Sequence, residues 1–334
     1  EYKIMNIFIT GSAGYVGRLL ADSFSKKENV SSIICLDKES IPEILKNNPK
    51  VVWINANTSD NDWQEKVKEK SPEVIIHCAW QIRQMYGQEE TQKKWNILGT
   101  DNVFDFAFEN SFVKKLIYFS SAAVYGAREE NSIDYFFNEQ DPVRENDYLY
   151  GKEKRISEEH LKEKYSNASH RPQVFVVRPS SLTGPYNNHK VKKFGLQSVL
   201  RNVLPVVPIA SDNWCRQFIH EDDVIDIISM LSLKELVGDY EILNITPNTL
   251  LTGQEIAQVL GKKTVKIPVF LIKIMFFFAW HLTRGAIPTA PGSWKTYSYP
   301  IVMDGSKITK KYGYNYQYQS REAFEIDDGR YKMK

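Results

Sequence analysis

Residues 10–17 read TGSAGYVG, with three glycines in the spacing G-x-x-G-x-x-G. An apolar run at 4–9 precedes them, and apolar residues at helical spacing follow from Val16 onward. This order predicts a strand, a tight glycine turn and a helix. Glycines let the backbone approach a pyrophosphate, and the first helical turn offers free N–H groups to that anion. The stretch therefore predicts a dinucleotide-binding turn whose contacts are Gly11, Ala13, Gly14, Tyr15, Val16 and Gly17.

Asp37 lies twenty residues after Gly17 and ends a second apolar run at 33–36. A carboxylate at this point can accept hydrogen bonds from the adenosine ribose, and it would repel the 2′-phosphate of NADP. The pattern therefore favours NAD, while the neighbouring Lys38 keeps NADP as an alternative. An ordinary strand–helix turn with a solvated aspartate is the alternative without a cofactor.

The composition is that of a globular protein with balanced charge. Its 334 residues include 43 basic and 41 acidic ones, a net charge of +2 that argues against a nucleic-acid-binding surface. Three widely separated cysteines show neither metal-ligand spacing nor a disulfide framework, which predicts no metal site and a reducing, cytoplasmic location. The length suits a cofactor domain at 1–183 and a smaller, interwoven substrate lobe at 184–334.

Short apolar runs alternate with helical segments through the first half of the chain. Such alternation predicts a Rossmann-type, doubly wound parallel sheet that binds ligands at the carboxyl ends of its strands. The predicted strands are 4–9, 33–36, 51–54, 74–78, 116–119 and 174–177, and the helices are 15–27, 61–70, 89–110 and 150–165. The second half predicts helices at 191–204, 222–236 and 252–260, a strand at 241–245, an ordered loop at 284–299 and a last helix capped at 304–307.

Several predicted strands end in small or polar residues. Asn57 could meet the adenine or could merely cap the next helix, and His77 is expected to be a satisfied, half-buried histidine rather than a catalyst. The residues predicted here to contact the cofactor are Asn57, Thr58, Cys78, Ala79 and Trp80, and those predicted to contact a substrate oxygen are Ser120 and Ser121.

Tyr150 and Lys154 lie four residues apart in a predicted helix and therefore share a face. An ammonium beside a phenol lowers the phenol's pKa from about 10 towards neutrality, which suits tyrosine to acid–base chemistry. The same spacing recurs at positions 148 and 152 and at positions 186 and 190, so spacing alone selects no pair.

Eight motifs in order resemble the extended short-chain dehydrogenase/reductase family, the NAD-dependent epimerases and dehydratases, over nearly the whole chain. They are TGxxGxxG at 10–17, Asp37, HCA at 77–79, NxxGT at 96–100, SSxxVYG at 120–126, YGxxK at 150–154, RPxxxxGP at 178–185 and RQFIHxDDV at 216–224. The resemblance, closest to the UDP-glucose 4-epimerase type, selects Tyr150 and Lys154 because a small residue follows the tyrosine.

The resemblance implies a mechanism for these residues. Tyr150, as phenolate, would remove a proton from a substrate hydroxyl while the carbon beneath gives hydride to the nicotinamide. Lys154 would lower the tyrosine pKa and bind the nicotinamide ribose, and Ser121 would hydrogen-bond the same substrate oxygen. The resemblance further implies cofactor contacts at Asn96 and Pro179, substrate contacts at Ser181 and Arg216, and for Ser120 a contact with the nicotinamide or a place behind the catalytic residues.

Departures from the family pattern concern the substrate. Ala122 and Ala123 stand where its sugar-nucleotide dehydratases carry an acidic pair, which disfavours water elimination. Ser181 replaces the asparagine of many nucleotide-sugar epimerases, whereas Arg216 matches a diphosphate-binding arginine. We therefore expect a NAD-dependent, homodimeric enzyme that epimerises a nucleotide sugar through a keto intermediate. The alternatives are a dehydrogenase or reductase of an apolar, steroid- or lipid-like alcohol and a non-catalytic dinucleotide sensor.

Residues 268–282 are apolar almost throughout, with Lys273 as the single Lys, Arg, Asp or Glu. The stretch is shorter than the roughly 20 residues that a membrane span requires. It predicts a buried helix of the small lobe. The alternatives are a subunit contact and an interfacial helix that makes peripheral membrane contact or borders an apolar substrate.

Overall fold

A computed structural model describes residues 4–190 and 196–332. Its strands are β1 (Met5–Thr10), β2 (Val30–Asp37), β3 (Val51–Asn55), β4 (Val74–His77), β5 (Lys115–Phe119), β6 (Gln173–Pro179), β7 (Ser181–Thr183), β8 (Val206–Ile209), β9 (Cys215–Arg216), β10 (Phe218–His220), β11 (Tyr240–Ile245), β12 (Leu251–Thr252) and β13 (Lys263–Lys266). The central sheet is parallel, in the order β3-β2-β1-β4-β5-β6-β11. This doubly wound order confirms the predicted Rossmann-type α/β class.

The helices flank this sheet and build the smaller lobe. They are α1 (Tyr15–Ser25), α2 (Gln64–Lys68), α3 (Glu89–Lys93), α4 (Gly99–Glu109), α5 (Leu149–Asn167), α6 (Pro185–Lys190), α7 (Leu196–Asn202), α8 (Glu221–Leu233), α9 (Gly253–Val259), α10 (Val269–Leu282), α11 (Ser293–Ser298), α12 (Ser306–Tyr312) and α13 (Ser320–Glu325).

Several predicted helices differ from the observed ones. The helix predicted at 89–110 is divided by a π-helical stretch, Lys94–Leu98, between α3 and α4. α11 occupies part of the predicted loop at 284–299, and α13 follows the helix predicted to be the last. Both contain only six residues, which is too short for a clear helical period. The prediction at 191–204 falls partly on 191–195, outside the described residues.

The two faces of the sheet bury different side chains. Ile7 and Ile9 of β1 belong to the cluster that includes Phe24 of α1. Phe8 points to the opposite face, where its ring packs 5.6 Å from that of Trp63. Because both faces are covered, ligands can reach the sheet only along its edges and at the carboxyl ends of its strands.

The second half of the chain returns to the central sheet. Strand β11 adds to its edge in parallel with β6, with Tyr240 opposite Val174. The remaining strands pair as β7 with β10, β8 with β13 and β9 with β12. A separate apolar cluster that includes Trp214, Phe218 and Phe324 fills the lobe they form.

Helix α10 contradicts the prediction of a buried helix. Only Ile272 and Trp280 are buried, whereas Leu282 is 81% exposed. No helix in the described part of the chain combines the length and apolarity needed to cross a membrane. The exposed large apolar side chains of this helix form what we name the apolar face of α10: Phe270, Leu271, Ile274, Met275, Phe277, Phe278 and Leu282.

Candidate active site

The glycine turn packs tightly against the end of β4. Gly11 has φ +71°, which favours glycine, and a Cβ there would lie 2.6 Å from the backbone nitrogen of Ala79. A Cβ on Gly14 would lie 2.9 Å from the Gly11 carbonyl oxygen, and one on Gly17 would collide with that oxygen. Helix α1 then begins at Tyr15 without a side-chain cap. The cradle and the N–H groups of the first helical turn fit a pyrophosphate.

Asp37 ends β2 beside this turn. Its carboxylate accepts hydrogen bonds from the backbone N–H groups of Ala13, at 2.8 Å, and Glu39, at 3.0 Å. A carboxylate has about four acceptor positions, so it can still accept bonds from ribose hydroxyls. The ammonium of Lys38 lies 3.7 Å from the centroid of the Trp95 ring. The carboxylate therefore faces the turn while the neighbouring lysine is held by an aromatic ring.

Arg18 is a residue that the sequence reasoning missed. Its guanidinium donates hydrogen bonds to the Gly14 carbonyl oxygen at 3.0 Å, to the Ala13 carbonyl oxygen and to the Tyr186 hydroxyl at 3.1 Å. It thereby adds positive charge to the predicted phosphate site. Its signal in the sequence is its position immediately after the third glycine.

Tyr15 and Val16 lie on the side of α1 that meets the core. The Tyr15 hydroxyl donates a hydrogen bond to Glu221 of α8, and its ring stacks on Tyr186 at 6.2 Å. Burial raises the pKa of Glu221 to about 7, and the bond from Tyr15 acts in the opposite direction. These contacts tie the glycine turn to the second half of the chain.

His77 is a neutral core histidine, fully buried rather than half-buried. Its Nδ1 lies 2.6 Å from Thr10 Oγ1 and its Nε2 lies 2.9 Å from Thr100 Oγ1. Burial lowers its pKa to about 3, and the charge of Lys154 acts in the same direction. The following Cys78 is partly buried, and burial raises the pKa of its thiol.

Ser121 and Tyr150 meet at the carboxyl end of β5. Ser121 caps a short 3₁₀ turn, Ala122–Tyr125, and its Oγ accepts a hydrogen bond from the Ala123 N–H at 3.2 Å. Burial raises the pKa of the Tyr150 phenol, and a hydrogen bond with the Ser121 side chain lowers it. The serine hydroxyl therefore favours the phenolate form of the tyrosine.

Gly151 permits this approach. A Cβ at this position would lie 2.8 Å from the Ala123 carbonyl oxygen and 2.7 Å from Cγ of Glu145. The absence of a side chain lets α5 lie directly against the turn that carries Ser121. The small residue after the tyrosine is thus required by helix packing.

Lys154 is buried, with 3% of its surface exposed, whereas Lys152 is exposed. Its ammonium donates a hydrogen bond to the Phe119 carbonyl oxygen at 2.5 Å and lies 3.5 Å from the centroid of the Trp80 ring. Burial lowers its pKa well below the ordinary value, while Cys78 and other neighbours raise it. Among the described residues, the buried Trp80 indole N–H has no hydrogen-bond partner.

Three further residues predicted to contact the cofactor, Asn57, Thr58 and Pro179, have the following surroundings within the protein. Asn57 Oδ1 accepts a hydrogen bond from the Ser59 N–H at 3.0 Å. The alternative that Asn57 caps the next helix is wrong, because α2 begins only at Gln64, with Trp63 as its N-cap. The buried Thr58 accepts a hydrogen bond from Asn102 through its carbonyl oxygen, at 2.9 Å. Pro179 ends β6 opposite Ile245 of β11.

Asn96 connects the loop after β4 to α5. Its Nδ2 donates to Glu153 Oε2 at 2.7 Å, and its Oδ1 accepts from the Gln81 N–H at 2.7 Å. In the described structure this side chain therefore holds the loop that carries Trp80 against the helix that carries Lys154. A cofactor contact for Asn96 stays a prediction.

A buried ionic network lies behind the site, and the sequence reasoning missed it. Ser120 Oγ donates to Glu158 Oε1 at 2.5 Å, so its hydroxyl points to the protein interior. Arg178 forms a two-point ion pair with Glu158, at 3.0 and 2.5 Å, and donates to the Tyr125 hydroxyl at 2.8 Å. The only sequence signal is the arginine at the end of a predicted buried strand.

Ser181 and Arg216, the predicted substrate contacts, lie in the second half of the chain. Ser181 is exposed at the start of β7. The Arg216 guanidinium donates to the Tyr297 carbonyl oxygen at 2.7 Å and stacks 4.2 Å from the Trp214 ring. Burial lowers its pKa, and among the described residues no carboxylate pairs with it. It is a partly buried cation available to an anion.

The sequence model of the NAD-dependent epimerase/dehydratase family matches residues 7–246, which is more than two thirds of the chain. This chain belongs to that family. The predicted membership, and with it an enzyme of a NAD-dependent family, is confirmed.

Two curated relatives align in sequence with most of this chain. A putative UDP-glucose 4-epimerase of Methanocaldococcus jannaschii is 29% identical over 250 residues, covering 72% of this chain and 76% of the relative. An N-acetyl-α-D-glucosaminyl-diphospho-ditrans,octacis-undecaprenol 4-epimerase of Escherichia coli O157:H7 is 25% identical over 264 residues, covering 79% and 74%.

The fold also matches a solved structure. UDP-glucose 4-epimerase of Thermotoga maritima, crystallised with UDP-glucose, superposes with a TM-score of 0.73 at 20% identity, covering 97% of each chain. At this identity the likeness concerns the fold.

Proposed function

We propose that the protein is a NAD-dependent epimerase that acts on a secondary alcohol of a nucleotide sugar through a keto intermediate. The observation that carries the proposal is the close packing of the start of α5, where Tyr150 lies, against the turn that Ser121 caps, with Lys154 buried one helical turn further along α5. Relatives named as sugar 4-epimerases support the substrate class. We further propose that the enzyme is a cytoplasmic homodimer.

The residues around the glycine turn fit NAD. Glycine is needed at Gly11 and Gly17 because a Cβ at either position would collide with neighbouring backbone and push the turn out of shape, and the unpartnered Trp80 indole N–H leaves a buried donor near Lys154. The turn would hold the pyrophosphate and Asp37 would hold the adenosine ribose. When bound, NAD supplies the acceptor for a hydride from the substrate carbon.

The chain's own residues move the proton. Tyr150 removes it from the substrate hydroxyl, and Ser121 donates a hydrogen bond to the same oxygen as its charge develops. Burial opposes the phenolate, so the Ser121 hydrogen bond is needed to favour it. Lys154 adds a positive charge to the same water-poor region. When the carbonyl is reduced from its other face, Tyr150 returns the proton to the oxygen.

Arg216 would bind the diphosphate of the substrate. Its guanidinium is held by backbone carbonyl oxygens and by Trp214, and no described carboxylate neutralises it. A guanidinium can bind phosphate oxygens through two parallel hydrogen bonds.

The test is calorimetric titration of UDP-, GDP- and dTDP-sugars into the NAD-loaded protein. We expect one of them to bind at micromolar concentration, and Arg216→Ala to weaken it by about 10-fold or more, because a charge-assisted contact is lost. Arg171→Ala, at an exposed arginine, is the matched control. The substrate assignment fails if no nucleotide sugar binds or if both variants bind alike.

Turnover is tested separately with the sugar that binds. Tyr150→Phe should retain binding and lose about 10²–10⁴-fold in the rate at which NMR detects the epimer. Full activity in this variant would remove Tyr150 from the mechanism.

A second candidate is a dehydrogenase or reductase of an apolar alcohol. The apolar face of α10 favours it, because such a surface suits a lipid-like substrate. In a dehydrogenase reaction free NADH accumulates. In an epimerase the NADH that forms is reoxidised to NAD within each turnover, so the absorbance of NADH separates the two.

A further inference from the structure

We propose that α10 docks on the surface of an anionic lipid bilayer, with its apolar face at the boundary between headgroups and acyl chains. This inference goes beyond the proposed function and does not depend on it. It rests on the geometry of the helix and on the charge of the residues around it.

The apolar face has true helical periodicity. Its members fall at positions 270, 274, 277 and at 271, 275, 278, 282, so at 100° per residue they cover about 160° of the helix circumference. His281 is the single polar residue within that arc. An ordinary surface helix turns its polar side to water. This one turns its apolar side outward over 14 residues, which is about 21 Å.

The inner side of the helix is anchored to the protein. Ile272 and Trp280 are buried, and the Phe276 ring packs 5.6 Å from that of Tyr297. The helix therefore cannot reorient to span a bilayer, and it is too short to do so. A helix fixed along one side with its apolar side free is suited to lie in the plane of the interface.

The surrounding charge selects the partner. Residues 256–303 contain six Lys or Arg residues and no Asp or Glu. Lys266 and Lys295 form ion pairs with Asp212 and Asp147, so the basic charge of this surface comes from the other cations. Lys263 precedes the helix, Lys273 borders the apolar face and Arg284 follows the helix, and all three are exposed. A second copy docked by a two-fold axis would bring this basic surface against itself. Anionic headgroups complement it, and the long lysine stem can lie along the apolar face while its ammonium reaches the headgroups.

The experiment is flotation of the full chain with two kinds of vesicle, phosphatidylcholine alone and equal parts of phosphatidylcholine and phosphatidylglycerol. We expect the wild type to float with the anionic vesicles. The variant Phe270→Gln/Phe277→Gln/Phe278→Gln should lose at least about 10-fold in partitioning, because three exposed phenylalanines no longer enter the interface. The variant Lys273→Gln/Arg284→Gln should partition several-fold less to the anionic vesicles and should be unchanged on phosphatidylcholine alone.

The matched control is Tyr135→Gln/Val203→Gln/Val237→Gln, which removes three exposed apolar side chains elsewhere. It should float like the wild type, and thermal unfolding should show that both triple variants stay folded. The proposal is overturned if the wild type does not bind anionic vesicles, or if the triple phenylalanine variant binds as well as the control. It is also overturned if the triple phenylalanine variant changes from a dimer to a monomer in gel filtration while its binding to vesicles is unchanged, because the face would then contact a second copy.

Discussion

Helices α5 and α10 depart from the usual relation between polarity and burial in opposite ways. The strongly charged α5 buries Glu153, Lys154 and Glu158. The almost wholly apolar α10 exposes Phe270 at 63% and Leu282 at 81%. A helix that only supports a core exposes its charged side chains and buries its apolar ones. Each departure therefore points to a task beyond packing.

The two helices differ in where the compensating partner lies. In α5 each buried charge has a partner within the chain: Arg178 for Glu158, Asn96 for Glu153, and the Phe119 carbonyl oxygen with Trp80 for Lys154. The apolar face of α10 has no such cover among the described residues. The buried charges of α5 thus have partners within one chain, apart from Oε1 of Glu153, which is unbonded in the described structure. The apolar face of α10 would find its partner only on a surface outside the chain.

The largest expected effect tests the charge compensation of α5. Arg178→Met leaves the Glu158 carboxylate buried without its cation, and we expect unfolding free energy to fall by about 3–5 kcal/mol in urea titrations. Arg171→Met, at an exposed arginine, should change it by no more than about 0.5 kcal/mol. Equal effects of the two variants would contradict the role of the network.

Next in size is the effect of Ser121→Ala on catalysis. Loss of a hydrogen bond to the developing charge should lower kcat by about 10²–10³-fold. The Ser121 hydrogen bond lowers the pKa of Tyr150, so its removal raises that pKa. In a plot of kcat/KM against pH, the rising limb should therefore move to higher pH. An unmoved limb would show that Ser121 does not set the pKa of Tyr150, and an unchanged kcat would remove Ser121 from the mechanism.

A smaller effect tests how α5 is seated. Gly151→Ala places a Cβ 2.8 Å from the Ala123 carbonyl oxygen, so the helix must shift away from the turn that carries Ser121. We expect kcat to fall by about 10-fold with little change in NAD affinity. Lys152→Ala, one position further and exposed, should keep full activity. An unchanged kcat in Gly151→Ala would mean that the turn yields without moving the serine.

The smallest effect belongs to the apolar face of α10. Leu282→Gln should change the unfolding free energy by no more than about 0.5 kcal/mol, because the side chain is already in water. Ile272→Val, on the buried side and 2% exposed, should cost about 0.5–1.5 kcal/mol despite the milder change. A reversed order, measured by thermal unfolding of the isolated protein, would show that the apolar face is covered in solution.

The strands and the glycine turn could be predicted because their signals are local. Apolar runs bounded by turn residues marked β1 to β6 to within a few residues. The site could be predicted only as a set of neighbours at strand ends. Side-chain directions could not, as Ser120 and Asn96 show: both bond to carboxylates of α5 that lie 38 and 57 residues away in the chain.

The sequence by itself determined the parallel sheet, the glycine turn after β1 and the four-residue spacing of Tyr150 and Lys154, because each depends on periodicity or on the conformational freedom of glycine. Tertiary structure alone decided that the Lys154 ammonium lies on Trp80 and that α10 turns its apolar side outward. Both outcomes depend on which distant elements pack against a helix, and no pattern within the helix records that.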